Sequence, residues 1–271
     1  MNTPHRSRLF GLVSKLGIAA CALALSACAT APGGDPRDPW EGYNRSMTRF
    51  NDAVDSAVMR PVASAYETVV PQPVRTGVNN FFGNLSDVWS FVNNLLQAKP
   101  EQALHSFWRV VINSTIGLGG VLDPASEMRL ERHREDLGQT LAHWGVPSGP
   151  YFVLPLLGPS TLRDAVSLPV DYYGNPRTHI DHVRVRNSLT ALSFVDTRAQ
   201  LLGVDDVIKG ASIDSYAFTR DAWLQKRQND IRDGAPLAGQ DDYQNAPNYD
   251  EPQAEPDSSP DSSPATPAPQ P

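Results

Sequence analysis

Few residues in this sequence have the types and spacing that enzyme chemistry requires. Both cysteines lie in the first thirty residues, so the rest of the chain has no thiol nucleophile and no cysteine-ligated zinc site. Ser160 follows Gly158-Pro159 without the Gly-x-Ser-x-Gly elbow of serine hydrolases and is better explained as a helix start. His179 and His182 could present two imidazoles, but catalytic zinc usually has three protein ligands. We therefore predict no catalytic residue, no metal site and no cofactor, and the protein is not expected to be an enzyme.

One cysteine stands in a context that favours covalent lipid attachment. Cys28 ends the tetrapeptide Leu-Ser-Ala-Cys, which matches the lipobox in which a bacterial cysteine is acylated and becomes the new N-terminus. The apolar run Leu16–Ala27 before it is typical of a signal peptide and is shorter than the ~20 residues of a transmembrane helix. Cys21 also fits the pattern, but too few apolar residues precede it. We predict a signal peptide over residues 1–27 and lipidation at Cys28; the alternative is a cleaved, soluble periplasmic protein.

The predicted mature chain has three parts. Residues 28–37 form a lipidated tether, residues 38–233 a helical domain, and residues 234–271 a disordered acidic tail rich in proline and serine. The tail has seven acids and no Lys or Arg, which equals the formal net charge of -7. The domain therefore has no basic excess, and nucleic acid is not a predicted partner. Ala29, in place of Asp, follows the lipidated cysteine and favours the outer membrane under the usual rule for such lipoproteins.

Apolar residues recur at helical spacing in the first half of the domain, so the predicted fold class is all-α. Asp38-Pro39-Trp40-Glu41 has the pattern of a capped helix start. Arg60-Pro61 is expected to interrupt the helix that follows. Further helices are predicted over 74–85 and 88–96. The helix that begins at Lys99-Pro100-Glu101 has apolar residues on more than one side and is expected to be the most buried.

The second half of the domain contains two breaks in the helical pattern. Gly117–Gly120 forms one, and the proline- and glycine-rich segment 145–159 is predicted to be irregular although it is apolar. Helices resume at a capping pattern that starts at Thr161, and again at about 182–202 and 212–232. Apolar and polar residues do not alternate over a sustained stretch anywhere in the domain, so no strand is predicted.

Asparagines recur on the predicted helices that also carry large apolar stripes. They are Asn79, Asn80, Asn84, Asn93, Asn94 and Asn113. Since asparagine is a poor interior helix former, its repeated use needs a reason. Either the helices lie along a membrane interface with apolar residues outward and amides facing a polar lumen, or the asparagines lie on the surface of soluble amphipathic helices. The pattern by itself does not decide between these accounts.

A series of spaced motifs runs through the domain in a specific order. The motifs are Asp38-Pro39-Trp40-Glu41-Gly42-Tyr43-Asn44-Arg45, Phe50-Asn51, Arg60-Pro61, Asn80-Phe81-Phe82-Gly83-Asn84-Leu85, Asn93-Asn94-Leu95-Leu96-Gln97, Asn113 to Gly120, Gly138-Gln139-Thr140-Leu141, Trp144-Gly145-Val146, Gly149-Pro150-Tyr151, Leu154 to Ser160 and Leu162-Arg163-Asp164. In this order they strongly resemble the MlaA (VacJ) family of outer-membrane lipoproteins. The resemblance covers about residues 35–233.

The resemblance implies a ring-like arrangement of short amphipathic helices, embedded in the outer membrane from its periplasmic side, around a central channel. Family members bind trimeric outer-membrane porins, remove phospholipid that has strayed into the outer leaflet, and pass it to a periplasmic phospholipid-binding carrier of the MlaC kind. Such proteins share no hydrolytic step. The alternatives are a lipid-anchored phospholipase or esterase, and a passive scaffold that only docks to porins.

Four residues are predicted to line the phospholipid path. A phosphate crossing an apolar region needs a cation, and Arg109 lies four residues before Asn113 on the same face of the most apolar helix. Arg163 is the second candidate cation, and Asn84 completes the set. The alternative for both arginines is a structural ion pair or cap.

A second set of residues is predicted to control access to the channel. Glycines permit backbone changes, while the apolar side chains of the irregular segment need lipid or protein cover. The predicted gating residues are Gly145, Gly149, Pro150, Pro155 and Gly158. The alternative is a rigid structural loop.

Overall fold

The computed structural model describes residues 35–203 and 214–235, and these residues are mainly helical. In chain order the elements are helix α1 (Glu41–Val54), a π-helix (Asp55–Met59), α2 (Arg60–Val69), α3 (Gln72–Leu96), α4 (Pro100–Thr115), α5 (Pro124–Glu127), α6 (Leu137–His143), strands β1 (Tyr151–Leu154) and β2 (Gly158–Thr161), α7 (Leu162–Gly174), a 3₁₀-helix (Pro176–His179), α8 (Val183–Gln200) and α9 (Ser215–Ile231). The all-α class is confirmed, with one two-stranded sheet as an addition. The predicted signal peptide, Cys28 and the tail from residue 236 onward lie outside the described residues.

The predicted interruption at Arg60-Pro61 is wrong, because α1, the π-helix and α2 follow one another without a break. A proline inside an α-helix removes a hydrogen bond and its ring clashes with the carbonyl four residues earlier. Here the turn before Pro61 is wider, and the Arg60 N–H bonds to the carbonyl of Asp55, five residues back. The extra residue of the π-turn lets the helix continue through the proline.

Asp38 does not cap the first helix, contrary to the sequence prediction. Trp40 immediately precedes α1 and its side chain makes no capping bond. The Asp38 carboxylate is instead buried, where it accepts hydrogen bonds from Asn44 Nδ2 (2.7 Å) and from the Tyr216 hydroxyl. Asp38 therefore links the start of the domain to its last helix.

Helices α3 and α4 pack against each other as an antiparallel pair joined by a short turn. The two helices predicted over 74–85 and 88–96 are one 25-residue helix, α3. Gly83 does not break it, and its missing side chain has a packing reason. A Cβ at Gly83 would lie 2.5 Å from Nη1 of Arg132, so glycine lets that guanidinium approach the helix.

Part of the segment predicted to be irregular forms an antiparallel hairpin. Tyr151 pairs with Thr161 and Leu154 with Gly158, which corrects the expectation that the domain has no strand. The strands have four residues each, and β2 reads Gly-Pro-Ser-Thr, so neither shows the alternation that would predict a strand. Ser160 lies in β2, and the cap of α7 is the next residue, Thr161, whose side chain accepts from the Asp164 N–H.

Two asparagine side chains of α1 hold the free edge of β1. Asn44 Nδ2 donates to the carbonyl of Tyr151 (3.1 Å), and its Oδ1 accepts from the Val153 N–H (2.9 Å). Asn51 repeats the arrangement seven residues later, with Leu154 and Leu156 as its backbone partners at 2.9 and 2.7 Å. A spacing of seven residues places both amides on one helix face, where they satisfy a strand edge that would otherwise be unpaired.

The interior of the described domain is polar and much of its surface is apolar. Among the described residues, 21 buried side chains are polar or charged against 7 apolar ones, four of which are alanines. Large apolar side chains are exposed instead, including Leu104, Phe107 and Trp108 of α4. The prediction that α4 buries its apolar residues is therefore wrong: its buried positions are Ala103, Ser106, Arg109 and Asn113.

The sequence left open whether the asparagines lie on the surface of soluble helices, and the burial of their amides answers that question for four of them. Asn84, Asn93, Asn94 and Asn113 are all buried, so the account that places them on the surface of soluble helices is wrong for these four. Within the described ranges, none of the helices combines the length and the apolar character that crossing a membrane requires.

Candidate functional site

Arg109 lies in a hydrogen-bond network between α3, α4 and residues 123–130, which contain α5. Its guanidinium donates to Asp123 through Nη2 (2.8 and 2.9 Å), to Asp87 through Nε (3.2 Å), and through Nη1 to Ser126 Oγ and the Leu130 carbonyl (3.0 and 2.6 Å). The residue is 1% exposed. Every nitrogen of the guanidinium thus has a protein partner, which favours the structural ion pair over a cation that faces a lumen.

Of the other predicted path residues, Asn113 joins this network, and Asn84 lies at the same α3–α4 interface. Asn113 Nδ2 donates to Asp123 (2.8 Å), and its Oδ1 accepts from the Ala125 N–H (3.1 Å). Asn84 on α3 donates to Ser114 Oγ of α4 (3.0 Å), while its own Oδ1 has no partner among the described residues. Asn84, Arg109 and Asn113 therefore all lie along the α3–α4 interface, and their role in a phospholipid path stays a prediction.

Burial and charge act against each other in this network. Burial raises the pKa of Asp87 above its usual range, although Arg132 and Arg109 oppose the shift. Burial also disfavours ionisation of Asp123, but hydrogen bonds from Ser126, Arg109 and Asn113 outweigh it and lower its pKa to about 2. Asp123 is therefore the fixed negative charge that balances Arg109.

Arg163 lies apart from the other three path residues. Its Nε donates to Asp164 (3.0 Å) and its Nη1 to the Val146 carbonyl (3.3 Å), while Nη2 is buried without a partner among the described residues. Asp164 also accepts from Arg227 of α9, whose guanidinium reaches Asp136 with two bonds of 2.7 Å. Arg163 thus belongs to an ion cluster that joins α6, α7 and α9.

The predicted gating residues lie on both sides of the hairpin. Gly145, Gly149 and Gly158 all have positive φ (+86°, +67° and +83°), a backbone region that favours glycine. The Pro150 carbonyl accepts the Leu162 N–H (3.0 Å), and Pro155 follows β1 directly. Their role in gating stays a prediction. Crosslinking Asn51→Cys to Leu156→Cys should reduce lipid transfer relative to the same double variant in its reduced form, which has lost the same Asn51 hydrogen bonds. Unaltered transfer with the crosslink complete would reject gating.

Residues 36–230 match the MlaA lipoprotein family. The chain belongs to the MlaA lipoprotein family. It is 38% identical to the intermembrane phospholipid transport system lipoprotein MlaA of Escherichia coli, over 84% of this chain and 93% of that protein. The corresponding protein of Haemophilus influenzae is 32% identical over 79% of this chain and 88% of its own length, and an uncharacterised protein of Rickettsia bellii is 35% identical over 72% and 77%.

A solved structure supports the same assignment. It was reported as "Structural basis for maintenance of bacterial outer membrane lipid asymmetry" and has a TM-score of 0.64, 34% sequence identity, and coverage of 72% of this chain and 98% of that chain. The resemblance inferred from spaced motifs is therefore confirmed, and the helical architecture is that of an MlaA-family lipoprotein.

Several residues that organise this MlaA-family domain were not singled out from the sequence as functional. Asp87 and Asp123 balance Arg109, and Arg227 closes the last helix onto Asp136 and Asp164. No helical spacing in the sequence connects these acids with their ion-pair partners, because the partners lie far away along the chain or in irregular segments. Gly138 begins the motif Gly138-Gln139-Thr140-Leu141, and a Cβ there would lie 2.4 Å from Asp164 Oδ1 and 2.5 Å from Arg227 Nη2. A glycine inside a helix was thus the one signal that pointed to this close approach.

Another buried acid of the MlaA-family domain lies just before α6. Glu135 accepts from Gln97 Nε2 (2.8 Å) and from Lys99 Nζ (3.3 Å), and the same Lys99 Nζ lies 2.7 Å from Asp233 Oδ2. Its side chain is 3% exposed. Burial raises the pKa of Glu135 from its ordinary value of 4.5 to about 7, although Gln97 and Lys99 oppose the shift.

We expect Glu135 to make the domain less stable as the pH rises from 5 to 8. Between its unfolded and folded pKa values the folded state keeps a proton that the unfolded state has released, so the free energy of unfolding falls with rising pH. For a pKa raised to about 7 the full effect is about 3 kcal/mol. Glu135→Gln should flatten this part of the pH dependence in urea unfolding of the detergent-solubilised protein.

Glu127→Gln is the matched control for this prediction, because Glu127 is an exposed glutamate of α5 outside this cluster. Titration of the stacked pair His105 and His133 is common to both variants and cancels in the comparison. An unchanged pH slope in Glu135→Gln would contradict the assignment.

Proposed function

We propose that this MlaA-family lipoprotein takes phospholipid from the outer leaflet of the outer membrane and passes it to a periplasmic carrier, and thereby maintains lipid asymmetry. It does so without a hydrolytic step. Cys28 is the lipid anchor, and the helices surround a channel on the periplasmic side of the membrane. The partners are phospholipid, a trimeric porin and a periplasmic phospholipid-binding carrier of the MlaC kind.

The observation that carries this proposal is the polar interior beneath an apolar surface. Thirty large apolar side chains are exposed among the described residues, far more than a solvated surface of scattered single residues would explain. Apolar surface of this extent favours contact with acyl chains, and the paired charges inside supply a polar environment that is shielded from them. This distribution suits a protein that lies in one leaflet and handles amphipathic lipid.

The names of the relatives support the same function. The Escherichia coli and Haemophilus influenzae proteins carry the name of an intermembrane phospholipid transport system lipoprotein, and the family is a lipoprotein family. The similarity extends over 93% of the Escherichia coli protein, so nearly the whole relative corresponds to this chain.

Reconstitution of the full lipidated protein tests this function directly. Vesicles that contain the protein and a labelled phospholipid are mixed with a purified periplasmic lipid-binding carrier, and vesicles without the protein give the background. We expect labelled, intact phospholipid to appear on the carrier. Lysophospholipid or free fatty acid in the products would instead indicate a phospholipase, and porin binding without transfer would indicate a passive scaffold.

A further inference from the structure

A polar cavity lies between the first half of α3 and the last turns of α8. Its volume is about 250 Å³, and it is lined by Gln72, Arg75, Thr76, Asn79, Asp196, Ala199 and Gln200. The residues of α3 follow the spacing of one helix face, as do those of α8. The cavity is therefore a space between two facing helix surfaces, away from the Arg109 network.

The cavity brings together one cation and one buried anion that do not pair with each other. Arg75 donates to Glu67 (3.0 Å) and to Gln72 (3.1 Å), and its Nε has no hydrogen-bond partner among the described residues. Its ion-pair partner Glu67 lies near the surface, with a side chain that is 45% exposed. Such an exposed pair is weak and leaves Arg75 able to bind an anion.

Asp196 is the buried anion. It is 4% exposed and accepts hydrogen bonds from two neutral donors, the Tyr66 hydroxyl (3.0 Å) and Gln200 Nε2 (2.8 Å). No described Lys or Arg forms an ion pair with it. Burial and the bond to Asp196 raise the pKa of Tyr66 to about 12, so the phenol remains a donor at neutral pH. A buried carboxylate without a cation is costly unless a ligand supplies the positive charge.

We propose that this cavity binds the zwitterionic headgroup of an aminophospholipid, with the phosphate at Arg75 and the ammonium at Asp196. The inference rests on the proposed transport function and names its preferred substrate class. An anionic headgroup would satisfy Arg75 and leave Asp196 unpaired, whereas a zwitterion satisfies both. The volume is below the ~300 to 1,000 Å³ of sites for drug-sized ligands, so it suits a headgroup and not the acyl chains.

The test measures headgroup preference during lipid release. Vesicles with the full lipidated protein contain equal amounts of labelled phosphatidylethanolamine and phosphatidylglycerol, and the ratio of the two on the carrier is measured. We expect the wild type to favour phosphatidylethanolamine and Asp196→Asn to lower that preference roughly tenfold, the size expected for a hydrogen-bonded charge pair. Arg75→Gln should lower the transfer of both lipids together, because both contain the phosphate.

Asp181→Asn is the matched control, since Asp181 is an exposed acid outside the cavity and should leave the ratio unchanged. Equal transfer of both lipids by the wild type would overturn the inference, as would a preference that survives in Asp196→Asn. Failure of the transport proposal itself looks different, because then neither lipid reaches the carrier.

A binding measurement tests the cavity even without transport. Calorimetry on the full protein compares glycerophosphoethanolamine with glycerophosphoglycerol, two soluble molecules with the same headgroups. Stronger binding of the first supports the zwitterionic site and needs no variant to fold. Equal binding of the two soluble molecules overturns the inference, as equal transfer of the two lipids does. If neither soluble molecule binds but the lipids show the preference, the site is assigned to membrane lipid and not to soluble phosphodiesters.

Discussion

Arg109→Leu should destabilise the folded domain by about 3 to 5 kcal/mol, the range found when one partner of a buried ion pair is removed. Asp87 and Asp123 would lose their shared cation, and Asp87 is itself 1% exposed. Arg132 remains near both acids but is held at 3.3 and 3.7 Å, so it replaces only part of the lost interaction. The free energy of unfolding, measured with urea in detergent, checks the prediction.

The alternative role of Arg109, binding a headgroup phosphate, makes a different prediction. A residue that only lines a lipid path could be replaced by leucine with little change in stability but with phospholipid accumulating in the outer leaflet. Arg109→Lys separates the two further: it keeps the charge but cannot supply five N–H donors, so the structural role predicts a loss of stability here too. Arg134→Leu, at an exposed arginine, is the matched control.

Cys28→Ala should remove the lipid anchor and abolish function in the cell. Three acyl chains on the mature N-terminus would hold the protein in the membrane almost permanently, whereas one chain gives only marginal binding. Without them the precursor should stay unprocessed or the product should leave the outer-membrane fraction. Labelling with a radioactive fatty acid, fractionation and the level of outer-leaflet phospholipid measure the three effects.

Cys21→Ala provides the matched control, because Cys21 is the other cysteine of the chain and also fits the lipobox pattern. Labelling and localisation should be normal in this variant. Fatty-acid label that persists in Cys28→Ala, or that disappears in Cys21→Ala, would show that Cys28 is not the anchor.

Much of the helical architecture followed from local pattern. Pro100 stands at the first turn of α4, and Thr161 caps α7, as predicted. The helices expected over 182–202 and 212–232 are α8 and α9 within a few residues of those limits. These features depend on neighbours within about one turn, which is the range over which capping and helical spacing act.

The failures have a common physical cause. Three features were not predicted: the π-turn before Pro61, the single long α3 and the hairpin. Each depends on contacts beyond one helical turn or on a small local change in backbone geometry, and neither is visible in the local sequence pattern. Asn44 holds Val153 across 109 residues of sequence, and nothing near either residue indicates the pairing. The two strands are short and lack the alternation of apolar and polar residues by which strands are recognised in a sequence.

Local pattern and the spaced motifs are enough to predict the family, the helical class, and a polar set at Asn84, Arg109 and Asn113. Which side of each helix faces inward depends on contacts between elements that are distant in the chain. A stripe of apolar residues can face a protein core or a membrane with equal favour, because both environments are apolar. Burial of Arg109 with Asp87 and Asp123, and of Arg227 with Asp136 and Asp164, requires charges from separate elements to meet. Buried charges are tolerated only when paired, and pairing across elements exists only once the chain has folded.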